Sequence, residues 1–126
     1  MAPVHDYEVI SYEVNLKDRI IIINTEYNEN KLKIEFTDVL AHLFEDQLQG
    51  SVLLDIDTYD IEGFVEGNVE LLERHKPYCW PTSYETLNEL RGMLVKEQYE
   101  YFVICSSIGF NGWVLAKKMK IVKRDS

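Results

Sequence analysis

The chain has 126 residues, 46% of them hydrophobic and 28% charged, enough to close one hydrophobic core unaided and too few for two domains. Residues 1–126 therefore read as a single domain. Two cysteines, Cys79 and Cys105, exclude a structural zinc site. The longest apolar run, Tyr101 to Cys105, falls far short of the ~18 residues a membrane span needs. Met1 to Asp6 has neither the basic region nor the apolar core of a signal peptide, so a cytoplasmic protein is expected. The formal charge is −9: residues 1–63 carry −10 and residues 64–126 carry +1. That field repels phosphate backbones and anionic lipid, so neither nucleic acid nor a membrane is an expected partner.

Tyr7 to Leu16 alternates as a strand, with Val9 on one face and Ile10, Tyr12, Val14 and Leu16 on the other. Lys17-Asp18-Arg19 turns the chain into Ile20–Thr25, whose near-continuous β-branched character suits a strand covered on both faces. Asn28-Glu29-Asn30 makes the next turn, and Lys31 to Phe36 places Leu32, Ile34 and Phe36 inward. From Thr37 the period changes: Val39, Leu40, Leu43 and Phe44 recur at helical spacing, which predicts a short helix or irregular turn. Val52 to Tyr59 reads as a strand with Asp55 and Asp57 on one face and Leu54 and Ile56 on the other.

Ile61 to Arg74 carries a broad helical stripe weakened by Gly63 and Gly67. Pro77 and Pro81 bound a connector, after which Thr82-Ser83-Tyr84-Glu85 matches a capping box for a helix bearing Leu87, Leu90 and Leu94 on one face. Tyr99–Ile108 and Trp113–Val122 are strands joined at Asn111-Gly112, a two-residue hairpin signal. The expected fold class is α+β, a mostly antiparallel sheet of about six strands with two principal helices.

Few residues are spaced for chemistry. Counting a calcium loop from Asp55 puts Asp57 third and Glu66 twelfth, but Tyr59 and Asp60 occupy the positions of an oxygen ligand and a glycine. A helix through Asp38, His42 and Glu45 would bring those three together as a candidate metal or general-base cluster. They support, as an alternative, a metal-dependent small hydrolase that also uses the Asp55/Asp57 face. Cys105 reads as a buried thiol and Cys79 has no redox or catalytic context. No cofactor is expected and no catalytic residue is assigned. The partner-binding candidates are the carboxylates Asp55, Asp57, Asp60 and Glu62 and the connector aromatics Tyr78, Trp80 and Tyr84. The C-terminal basic cluster, Lys117, Lys118, Lys120, Lys123 and Arg124, reads as a solvated last strand.

Phe36 to Phe44, Leu53-Leu54-Asp55-Ile56, Cys79-Trp80-Pro81 and Gly112 to Ala116 together resemble small uncharacterised bacterial proteins, some of the toxin-immunity type. That resemblance implies a stand-alone α+β domain acting by binding, and the acidic N-terminal half suits a basic protein partner. The charge asymmetry also suits a homodimer, which would have to bury an apolar residue such as Phe110 or Trp113.

Overall fold

The computed structural model describes residues 4–75 and 86–124. Its strands are β1 (Glu8–Asn15), β2 (Ile20–Tyr27), β3 (Asn30–Thr37), β4 (Ala41–Glu45), β5 (Val52–Tyr59), β6 (Glu100–Ile108), β7 (Asn111–Ala116) and β8 (Lys118–Lys123). The helices are α1 (Ile61–Gly67), α2 (Val69–His75) and α3 (Leu87–Lys96). All pairings are antiparallel, in one sheet of order β4-β7-β6-β5-β1-β2-β3-β8.

The expectation of about six strands and two principal helices is corrected: the described residues form eight strands and three short helices. One cause lies at two bends. β3 runs on into β4 through Asp38, whose φ is 54°, and β7 runs on into β8 through Lys117. Hydrogen bonds Leu40 N–H to Leu115 O (2.8 Å) and Lys117 N–H to Thr37 O (3.2 Å) keep the two bent strands together across the bends. The sheet thereby curls on itself, and Phe36 of β3 meets Phe102 of β6 with ring centroids 5.4 Å apart.

The second cause is the segment Thr37–Phe44, which is not helical. Its apolar spacing arises because β4 is covered on both faces. Ala41 and Leu43 pack toward the helices, while Phe44 packs toward the interior of the curled sheet. β7 shares this environment: Val114 and Ala116 fill the interior, and Trp113 and Leu115 lie under Phe64, Leu72, Leu90 and Leu94. β7, not β2, is the strand buried on both faces; β2 alternates, with Ile21, Ile23 and Thr25 buried and Ile22 only partly buried.

Two bulges overturn simple alternation. The β1–β2 register shifts between Val9 and Ser11, so Val9 and Val14, of opposite parity, both pack on the core. A shift between Leu53 and Asp55 buries Leu53 with Ile56 and leaves Leu54 exposed. The predicted Ile61–Arg74 helix is two helices, broken at Asn68. Asp60 caps α1, its carboxylate accepting from Gly63 N–H at 2.7 Å.

The box at Thr82–Glu85 lies outside the described residues. α3 is capped instead by Thr86, which accepts from Glu89 N–H at 3.1 Å, and Leu90 and Leu94 are fully buried. The β6–β7 turn sits at Gly109-Phe110, where Gly109 takes φ 68°, and Asn111-Gly112 belongs to β7. Ser51, 1% exposed, accepts from Phe110 N–H at 3.2 Å and donates to Leu48 O at 2.6 Å.

Candidate functional site

The sequence-derived cluster Asp38, His42 and Glu45 does not assemble. As a strand, β4 points residues three apart to opposite faces. His42 turns inward beside Phe44, ring centroids 4.9 Å apart, whereas Glu45 is exposed. Asp38 lies 3.5 Å from Arg19. Among the described residues no three His, Cys, Asp or Glu side chains come together in a metal-holding group. Burial lowers the His42 pKa below its ordinary 6.5, because the half-buried ring disfavours its charged form.

The partner-binding candidates separate into two kinds. Asp60 is spent on the α1 cap, and Glu62 accepts from Arg91 at 3.0 Å. Asp55 and Asp57 share the outward face of β5, opposite Cys105 and Val103 of β6, and Asp55 Oδ1 accepts from the neighbouring Ile56 N–H at 2.9 Å. Tyr59 continues that face, 53% exposed, 6.3 Å from Tyr101. Tyr78, Trp80 and Tyr84 lie outside the described residues, as does Cys79. Cys105 is exposed, correcting the expectation of a buried thiol: it occupies the outward parity of β6. Phe110 and Trp113, 2% and 7% exposed, are core residues and cannot furnish a dimer contact.

Two cations of the basic C-terminal cluster, Lys120 and Arg124, are paired with carboxylates of neighbouring strands. Glu35 takes Lys33 at 3.0 Å and Lys120 at 3.3 Å, and Glu26 takes Lys31 and Arg124, each at 3.5 Å. The Lys33 hydrogen bond, against the opposing effect of burial and with help from Lys120, holds the Glu35 carboxyl below its usual range.

A groove that the sequence does not reveal runs beside β1. Bonds to β5 end at Val9: Asp6 N–H to Leu53 O (2.9 Å), Leu53 N–H to Tyr7 O (2.8 Å) and Val9 N–H to Ser51 O (2.8 Å). The bulge at Ile10 adds twist there, and from Ile10 to Asn15 that edge has no strand partner among the described residues. Among the described residues β4 pairs only with β7, and its Phe44 carbonyl also accepts from the Gln47 side-chain amide at 2.9 Å.

Tyr12 stands between the two edges, its ring 5.3 Å from both Phe44 and Phe110 and its hydroxyl donating to Gln47. On one side of it lies a cleft of about 600 Å³ walled by Glu8–Tyr12, Gln47–Ser51 and Phe110. On the other side a cleft of about 350 Å³ is walled by Val14–Leu16, Arg19–Ile21, Val39, Leu40 and His42. Its signal in sequence was slight, namely Ile10, Leu16 and Leu48 at positions that remain 47%, 79% and 61% exposed.

Comparison with family models, curated proteins and solved structures gives no significant match. No described helix is long and apolar enough to cross a membrane.

Proposed function

We propose that this chain is a non-enzymatic protein-binding domain, immunity-like or regulatory, whose partner is basic. The observation that carries the reading is the state of its carboxylates. Glu26, Glu35, Asp38 and Glu62 each have a cation within 3.5 Å. Asp55 and Asp57, two residues apart on one strand face and so roughly 7 Å from each other, have none among the described residues. Like charges held this close repel, and a cationic partner relieves the repulsion while steering encounter. Tyr59 beside them adds apolar area with a polar tip.

The test is affinity capture from the native cells with wild type and with Asp55→Lys/Asp57→Lys, each at low and moderate salt. The expected result is a basic protein held by wild type at low salt, weakened as salt rises, and lost by the variant. An identical set of captured proteins for wild type and variant overturns the reading.

A further inference from the structure

We infer that the groove between β1 and β4 binds an extended, basic segment of another protein by strand addition, the incoming backbone pairing with the free edge of β1 from Ile10 to Asn15. This surface is separate from the Asp55/Asp57 strip, and the inference is tested apart from it.

Three observations converge on that occupant. First, among the described residues both bordering strands stop short of full strand pairing: β1 beyond Val9, and β4 on the edge away from β7, although the Phe44 carbonyl accepts from the Gln47 side chain at 2.9 Å. In an antiparallel strand alternate residues direct their N–H and C=O to opposite sides, so the β1 edge presents unused backbone donors and acceptors in a row. A free strand edge is a template for another chain. The stretch Ile10–Asn15 is about 20 Å long at strand rise, enough for six residues of an extended peptide.

Second, apolar side chains stand exposed at the groove and not beneath a helix: Ile10 of β1, Leu16 just after it, and Leu48 from the opposite wall. Tyr12, 38% exposed, lies midway. Alternate side chains of an added strand would meet this row, which selects apolar residues at every second position.

Third, the rims are acidic. Glu8 and Glu13 lie on β1 and Glu45 and Asp46 at the end of β4, all four exposed, and no described cation pairs with any of them. Arg19, the cation in the wall, is engaged by Asp38. The remaining side chains of the guest are therefore selected for lysine or arginine. An apolar/basic alternation in extended form satisfies all three conditions; an acidic peptide or a helix does not.

The experiment is an amide NMR titration of the full chain with three capped heptapeptides: alternating lysine and valine, the same with its central valine replaced by proline, and alternating glutamate and valine. The lysine/valine peptide should give saturable shifts in Ile10–Asn15 and Ala41–Ser51 and slow hydrogen exchange along β1. Proline removes a backbone donor and should weaken binding about tenfold or more, as should reversal of the charge. Equal affinity for the proline peptide overturns strand addition, because charge alone would then account for binding. Shifts confined to Asp55–Tyr59 overturn the groove while leaving the basic-partner reading in place, and absence of saturable shifts at millimolar peptide overturns the groove outright.

Discussion

Gly112 is where the sheet has least room for one more carbon. β4 passes β7 so closely that a Cβ there would stand 3.0 Å from both Phe44 Cα and Phe44 Cδ1, and nearer still to the Leu43 carbonyl oxygen. The backbone cannot retreat, because Gly112 is paired with Phe44 on one side and Ile104 on the other. Gly112→Ala must push β4 outward, with loss of its ladder to β7. Overpacking costs about 1–3 kcal/mol, and a backbone obstacle places this case toward the upper end. The reduced freedom of alanine in the unfolded chain offsets about 0.4–1 kcal/mol. A net loss of about 1.5–2.5 kcal/mol, at about 4 °C per kcal/mol for a chain of this length, lowers Tm by about 6–10 °C. Thermal and urea unfolding followed by circular dichroism would measure it. Gly92→Ala is the control, since nothing lies within 4 Å of that Cβ; in the interior of α3 it should stabilise by about 0.5–1 kcal/mol. A Gly112→Ala protein that melts with wild type would refute the close β4–β7 crossing.

Other perturbations test the electrostatics and caps. His42 has a depressed folded pKa, so the unfolded chain binds more protons as pH falls below 6.5; wild type should lose stability from there down to the folded pKa, and His42→Gln should lack that part of the decline. Identical slopes for the two proteins between pH 7 and 5 would count against a half-buried neutral ring. The ionised Glu35 contributes stability above its ordinary 4.5, lost as pH falls through the lowered folded pKa; Glu35→Gln should cost about 1 kcal/mol or less at pH 7 and flatten the acid limb of the stability curve. Asp60→Ala removes the α1 cap and should cost about 1 kcal/mol in urea unfolding, with Asp60→Asn retaining most of it.

The elements most legible in the sequence were ones whose apolar residues follow one period. The alternation of β3 and the Leu90/Leu94 face of α3 each rest on a single buried face. Reading failed where that condition failed. β4 places Ala41 and Leu43 against the helices and Phe44 against the opposite layer, so apolar residues occur at both parities and imitate helical spacing. At the bulges near Ile10 and Leu54 one inserted residue exchanges the faces, and sequence alternation counted through it assigns the wrong side chains to the core.

The same two failures hide the candidate site. A catalytic cluster is a set of residues and can be sought by spacing, as with Asp38, His42 and Glu45, which an extended β4 separates. The groove is instead a set of absent pairings, and it exists because the bulge at Ile10 turns β1 away from β5 and the bend at Asp38 carries β4 beyond β2. Neither residue would be chosen for its chemistry. Their effect on function is geometric: each redirects a strand so that an edge ordinarily consumed by the sheet is left to pair with something else.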